Sequence, residues 1–498
     1  MDCRVKQAGV QIIAALGLVA LLGACASPLA RVPRAERNAI SARMMSDITV
    51  LASDEFGGRQ PGTPGEVRTL EYLTKRFADV GLVSGTNDPA SPWRAPVSLA
   101  RTHLEQSTVA LLQDDMIVEL RNDQAIAITR SRQSLLEDAD MVFVGNGGDS
   151  VPDAAIAGSV AVMLADESLN PARRKALERK GAAAVIVVPR SDESYVRIRQ
   201  RLAGKALSLV DEEDASLGVA ISNAAMEETL GVERWRGLKA SAQSDAFTPV
   251  RLKWTVSIAA NANRLEFVSH NLVGKLPGTR PEAGAVLLLA HWDHLGECGP
   301  DSLDDGSADR LCNGAVDNAS GVALMLELAR RLSANGPHER DIYVLATSAE
   351  EAGLLGARAF VANPPVPLES IVAAFNFDTS AVAPAGSSVG FVGEGRTALD
   401  PVIFEVMEGA RRDLGNRNFA ETFVKRQDGW ALLEAGVPTV FLSSAFASKI
   451  TLGPYLEAHY HGPSDEADTI ELGGAIDDLL LHEELVMRFA DTTAYPGR

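Results

Sequence analysis

Ala285-Val286-Leu287-Leu288-Leu289-Ala290-His291-Trp292-Asp293-His294 is the stretch whose reading decides the fold. Six apolar residues in a row, with none to face water, spell a strand buried on both faces. Such strands belong to mostly parallel sheets covered by helices, and ligands bind beyond the carboxyl ends of those sheets. At this carboxyl end the apolar run breaks into two histidines and an aspartate. In extended backbone His291 and Asp293 share a face, because side chains alternate with period two. That suits a metal-bound imidazole fixed by a neighbouring carboxylate. The plainer reading of the same residues is a polar strand end without a metal.

Downstream the pattern repeats. Residues 320–332 form an amphipathic helix through Val322, Met325, Leu328, Ala329 and Leu332, stopped by Gly336-Pro337. Residues 342–346, 371–377 and 438–442 are further buried-strand candidates. The alternation predicts an α/β fold with a mostly parallel central sheet flanked by helices. Upstream, Thr63-Pro64-Gly65-Glu66 predicts a helix start, with Thr63 as N-cap, Pro64 in the first turn and Glu66 closing a capping box. Val67, Leu70, Leu73, Phe77 and Val80 then recur at helical spacing until Gly81.

Between 108 and 250 the texture differs. Short β-like runs at 141–144, 160–164 and 184–188 accompany one clear helix at 171–180, and no chemically suggestive cluster appears. This stretch is expected to be an inserted α/β or β-rich domain, with the catalytic domain in 26–107 and 251–498. A chain of 498 residues is too long for one simple core.

Four more segments carry chemistry. Asn313-Gly314-Ala315-Val316-Asp317-Asn318 sets Asp317 at the mouth of the 320–332 helix, where an aspartate alone is usually a cap. The next strand ends in Ser348-Ala349-Glu350-Glu351. Two adjacent carboxylates there are costly if buried, and a cation resolves the conflict. Phe375-Asn376-Phe377-Asp378 ends another strand with a carboxylate, and His459-Tyr460-His461 supplies late imidazoles. Each segment alone is weak. Together they form a His and carboxylate set that suits zinc and can hold two ions with one carboxylate bridging.

The order His-x-Asp, Asp-Asn, Glu-Glu, Asp, His resembles the co-catalytic di-zinc aminopeptidases, a family that also contains glutamate carboxypeptidase II. The resemblance spans the region from Ser53-Asp54-Glu55-Phe56-Gly57-Gly58-Arg59 onward and nearly everything from 271 to 469. It implies one zinc held by His291 and Asp378, a second by Glu351 and His461, and Asp317 bridging them. Asp293 would orient His291. Glu350 would be the general base, accepting the proton of a zinc-activated water that attacks the scissile carbonyl of a peptide. A free α-amino group would sit near the acidic cluster, which makes the expected activity that of an aminopeptidase; a carboxypeptidase or dipeptidase on the same centre is the alternative. His294 and His459 are read as supporting imidazoles, Tyr455 as an oxyanion donor, and Asp428 as a substrate contact in a Gln427-Asp428-Gly429 segment that departs from the family's pattern. Through Gly181-Ala182-Ala183-Ala184-Val185-Ile186, the insert is similar to a protease-associated domain.

A rival class is present in the sequence. Gly386-Ser387-Ser388-Val389-Gly390 matches the serine-hydrolase elbow, with Asp428 and His461 following in the order Ser, Asp, His. The elbow needs a strand before it and a helix after, and the flanking residues predict a turn between strands instead. That reading also leaves Glu350, Glu351, Asp317 and Asp378 without a purpose.

The formal net charge of −19 argues against nucleic acid as a partner. Arg4 and Lys6 followed by an apolar stretch at 10–22 read as a signal-peptide leader over 1–25, too short to span a bilayer as a helix. Its end, Leu22-Gly23-Ala24-Cys25, resembles the bacterial lipobox, so Cys25 is the expected lipid anchor and the only link to a membrane. With Ala26 after the cysteine, the expected place is the periplasm, at the outer membrane. The alternative is an ordinary leader cut near Ala24 or Ala26. Cys298 and Cys312 share a Gly- and Asp-rich loop, and in an oxidising compartment a disulfide is expected between them.

Overall fold

A computed structural model describes residues 32–147, 151–165, 171–212, 217–244, 246–298 and 309–497. The expected leader and Cys25 lie outside these residues. Among the described residues, no helix is long and apolar enough to cross a membrane. The chain forms two compact units, Met1–Val97 with Val268–Arg498, and Ser98–Phe267. The second unit is wider at both ends than the expected 108–250. The long strand Arg94–Gln113 runs through the expected boundary at 107/108 and the long strand Val250–Leu276 begins at the other, while the Pro and Gly they contain, Pro96 and Gly274, lie away from both.

In the first unit, helices α1 (Arg34–Leu51) and α2 (Pro64–Asp79) precede the end of β1 (Val250–Leu276). Then come β2 (Ala285–His291), α3 (Gly321–Ala334), β3 (Asp341–Thr347), α4 (Leu355–Ala362), β4 (Ile371–Asn376), β5 (Gly390–Val392), α5 (Gly429–Glu434), β6 (Thr439–Ser443) and α6 (Gly473–Ala490). The strands lie in the order β5-β6-β4-β2-β3-β1. The pairs β2/β3, β2/β4 and β4/β6 are parallel, while β1 and β5 run antiparallel to their neighbours.

Alternate residues of β2 explain its continuous apolar run. Val286, Leu288 and Ala290 join a core with α1, α2, α3 and α6, while Leu287 and Leu289 join Ala357, Phe360 and Leu432 on the other face. Each fully buried leucine contributes about 1.5–3 kcal/mol. The register of β2 with β3 pairs Ala290 with Ala346 and His291 with Thr347, so the polar ends of adjacent strands finish side by side.

Helix α2 starts at Thr63, whose hydroxyl accepts from the amide of Gly65. Glu66 reaches past the expected capping-box donor to the amide of Gly62 at 2.6 Å. Val67 is exposed rather than part of the apolar face. The guanidinium of Arg76 forks onto Asp47 of α1 at 2.6 and 2.9 Å, and Arg43 of α1 forks onto Glu327 of α3 at 2.9 and 2.7 Å.

The second unit is α/β rather than mainly β. Parallel strands Gln133–Phe143, Val160–Ala165, Ala184–Pro189 and Gly218–Ile221 are edged by antiparallel Ala125–Ile128. Helices such as Pro171–Arg179, Asp192–Ala203 and Val232–Ser241 connect and cover them.

Two adjacent glycines before α2 separate backbone strain from crowding. Gly57 and Gly58 have φ of +57° and +60°; a Cβ on Gly57 meets nothing within 4 Å, whereas one on Gly58 would lie 2.4 Å from the carbonyl of Cys312 and 2.7 Å from Cα of Gly296. Gly57→Ala is expected to cost about 1–2 kcal/mol, the left-handed backbone penalty. Gly58→Ala should cost a further 1–3 kcal/mol for overpacking. Equilibrium denaturation followed by circular dichroism measures both, and equal costs would contradict the packing described.

Candidate metal centre

The polar ends of β2, β3 and β4 converge at one edge of the sheet. His291 is the last residue of β2, Glu350 and Glu351 follow β3, and Asp378 lies two residues past β4. Asp317 comes from the irregular turn Ala315–Ser320 that leads into α3. His461 comes from the loop after helix Lys449–Ala458.

Nε2 of His291 lies 3.3 Å from Oδ1 of Asp317 and 3.6 Å from Oδ1 of Asp378. Nε2 of His461 lies 3.4 Å from Oδ2 of Asp317 and 3.0 Å from Oε2 of Glu351. Asp317 therefore presents one carboxylate oxygen to each of two donor sets. Among the described residues, two groups are compact enough to hold a metal ion: His291, Asp317 and Asp378, and His294, Asp317 and Glu351. The five expected donors are brought together, and His294 joins them.

The turn that presents Asp317 is held from several sides. The carboxylate of Asp465 accepts from the amides of Val316 at 2.8 Å and Asp317 at 3.1 Å. Asn318 donates to the carbonyl of Phe377 at 2.9 Å, tying the turn to the strand end that carries Asp378. Arg59 is fully buried and donates to the backbone carbonyls of Leu51, Trp292, Asn313 and Gly314. One planar guanidinium thus fixes the His291 and Asp317 segments together. Burial lowers its pKa to about 10, while Asp465, Asp317 and Asp293 oppose that shift. Spacing alone gave Arg59 and Asp465 no role; an arginine and an aspartate beside donor motifs are the only signals they leave in the sequence.

Asp293 acts on two neighbours. Its backbone oxygen is 3.1 Å from Nδ1 of His291, while its carboxylate stands 3.7 Å from that nitrogen. The carboxylate accepts instead from the amide of Glu350 at 3.0 Å.

The electrostatics are those of a site short of positive charge. Burial pushes the Glu350 carboxyl well above its ordinary range, with Asp428, Asp378 and Glu351 adding to the shift against His291. Asp428 rises to about 7, mainly by burial. Burial works against a charged His461, yet Asp317 and Glu351 outweigh it and raise the ring to about 10. Without a cation, imidazoles would have to carry the charge these carboxylates demand. A donor set of imidazoles and carboxylates at these separations fits zinc, and bound cations would remove the cost of burying so many acids together.

Other expected residues are placed differently. The hydroxyl of Tyr455 donates to Asp465 at 2.9 Å, so it braces the Asp317 turn and is not free as an oxyanion donor. Asp428 is buried beside the site, with one oxygen accepting from the Thr347 hydroxyl and the other without a partner. Nδ1 of His459 faces the carbonyl and hydroxyl of Ser464, within its own loop. Ser388 precedes strand β5, with no helix behind it, so the serine-hydrolase elbow is absent. Cys298 and Cys312 are joined as a disulfide, with Cα atoms 5.8 Å apart.

A recess opens beside the donors. Asp317, Glu350 and Asp378 lie at one side, and Phe423, Phe441, Phe446, Leu452, Leu456 and Tyr460 supply most of the wall. Arg426 also lines it, with its guanidinium over the ring of Phe423.

Residues 271–479, which contain all of these donors, match Peptidase family M28. That part of the chain is similar to the peptidase domain of this family. Over 470 residues, 87% of this chain and 82% of the relative, it is 25% identical to the probable lipoprotein aminopeptidase LpqL of Mycobacterium tuberculosis. Over 205 residues, 41% of this chain and 35% of the relative, it is 26% identical to aminopeptidase YwaD of Bacillus subtilis. Among solved structures, the aminopeptidase from Aneurinibacillus sp. strain AM-1 shares the fold with a TM-score of 0.54 and 17% identity, covering 90% of this chain and 93% of that one.

Proposed function

We propose that this chain is a zinc-dependent aminopeptidase working with two zinc ions. One ion would be held by His291 and Asp378, the other by Glu351 and His461, with Asp317 shared. The observation that carries this reading is the division of the Asp317 carboxylate between two imidazole–carboxylate sets, 3.3 Å to one histidine and 3.4 Å to the other. The family match and the names of the relatives support it.

Bound zinc would supply a Lewis acid for the scissile carbonyl and bring the pKa of an attacking water toward neutrality. The chain's own residues do the rest. Glu350 is not needed in either donor set and lines the recess beside them, where it can act as a general base that takes a proton from water and returns it to the leaving amine. Asp293 fixes Glu350 through its amide and His291 through its ring. The acidic surroundings favour a protonated α-amino terminus over a carboxylate. The aromatic and leucine wall of the recess favours a large apolar side chain on the residue removed. Arg426 is the one cation among the lining residues and gives a carboxypeptidase reading its only foothold.

Peptides with leucine, methionine or phenylalanine at the N-terminus should be cleaved faster than those with aspartate or glycine. N-acetylation should stop cleavage and C-terminal amidation should not; the reverse pattern would replace the aminopeptidase reading by the carboxypeptidase one. Chelation should abolish activity. Glu350→Gln should lower kcat by about 10²–10⁴-fold with zinc content unchanged.

The lipobox-like Leu22-Gly23-Ala24-Cys25, together with the lipoprotein name of the Mycobacterium tuberculosis relative, supports an exported enzyme anchored by lipid on Cys25, in the periplasm at the outer membrane. Cys25→Ser should move the protein from the membrane fraction to the soluble one and end its labelling by radioactive palmitate. Unchanged fractionation and labelling would count against the anchor.

A further inference from the structure

We infer that His294 is a direct ligand of the second metal ion, so that this position has four protein donors and the His291 position only three. The inference rests on the two-zinc reading above and adds a residue to it.

Three observations carry it. First, His294 is buried, and neither of its ring nitrogens has a hydrogen-bond partner. An imidazole enclosed in that way is costly unless something else takes its lone pair. Second, its Nδ1 lies 2.7 Å from Oε1 of Glu351 in an arrangement that is not a hydrogen bond, and Oε1 of Glu351 and Nε2 of His461 are likewise buried without one. Ligand atoms of His294, Asp317 and Glu351, one from each, lie within 4.8 Å of one another, close enough to share one ion. The separations of 2.7 Å from His294 to Oε1 of Glu351 and 3.0 Å from His461 to its other oxygen, Oε2, approach the edge of roughly 3.3 Å expected for a tetrahedron with zinc bonds of ~2.0 Å. Third, the backbone makes room for the ring. Gly314 has φ of +59°, and a Cβ there would lie 2.6 Å from Cγ and Cδ2 of His294. The residue at the start of the Asp317 turn leaves a cradle that the imidazole fills.

The consequence is an asymmetric centre. With His294, His461, Glu351 and one oxygen of Asp317, the second position is a closed four-donor site of the structural kind. With His291, Asp378 and the other oxygen of Asp317, the first keeps a vacant position of the catalytic kind. The second ion is then the more tightly held.

The test is the proton NMR spectrum of the full-length protein with zinc replaced by cobalt. Each coordinated imidazole contributes one strongly shifted exchangeable N–H signal. Three signals are expected in the natural protein and two in His294→Ala, whose second cobalt should bind at least tenfold more weakly by calorimetry. Two cobalt ions with only two such signals, or three signals that survive in His294→Ala, would overturn the assignment of His294 and leave the two-metal centre standing. Failure of the natural protein to take up cobalt would overturn both. Because the natural protein's signal count decides without any substitution, misfolding of the variant does not remove the test.

Discussion

The structure depends on where the two oxygens of Asp317 point. One faces His291 and Asp378, the other His461 and Glu351. A buried carboxylate shared in this way is stable only if positive charge lies on both sides of it. The neighbouring acids Asp293, Glu350, Asp428 and Asp465 sharpen that demand, since all are buried within the same region. Divalent cations satisfy it more completely than protonated imidazoles, which would lose the lone pairs that make them ligands.

Most of the remaining architecture serves to hold that carboxylate in place. The parallel register of β2, β3 and β4 ends the strands together and brings donors from distant parts of the chain to one edge. Arg59 and Asp465 then pin the Asp317 segment by its backbone, from the N-terminal segment and the late loop, and Asn318 within the turn ties it through its side chain to the neighbouring strand end. Tyr455 belongs to this bracing through Asp465. Donor geometry is therefore set by main-chain contacts of residues that hold no ion themselves, which is how a metal site keeps its shape between binding events.

The sheet and its donor-bearing ends were legible because burial on both faces leaves a continuous apolar run that polar residues interrupt only at the end. The run 285–290 in β2 and the pattern Val322, Met325, Leu328 and Leu332 in α3 are of this kind. Helix α1 was less legible: Ile40, Met44, Ile48 and Leu51 have helical spacing, but the buried Asp47 interrupts their face and finds its partners, Arg76 and Tyr72, across the fold in α2. The limits of the second unit were hidden because each falls inside one continuous strand, Arg94–Gln113 or Val250–Leu276. At the site, ligand-type residues at strand ends announce themselves, whereas Arg59 and Asp465 act through backbone partners that spacing does not encode. The place of Tyr455 against Asp465 and of His294 against Gly314 depends on contacts made across the fold, and only three dimensions reveal them.

The central claim is that Asp317 joins two metal positions. Crystals of the zinc-loaded protein, measured on either side of the zinc absorption edge, test it most directly. The account predicts two anomalous peaks about 3.5–4 Å apart with the Asp317 carboxylate between them. A single peak, or none beside these residues, would contradict it.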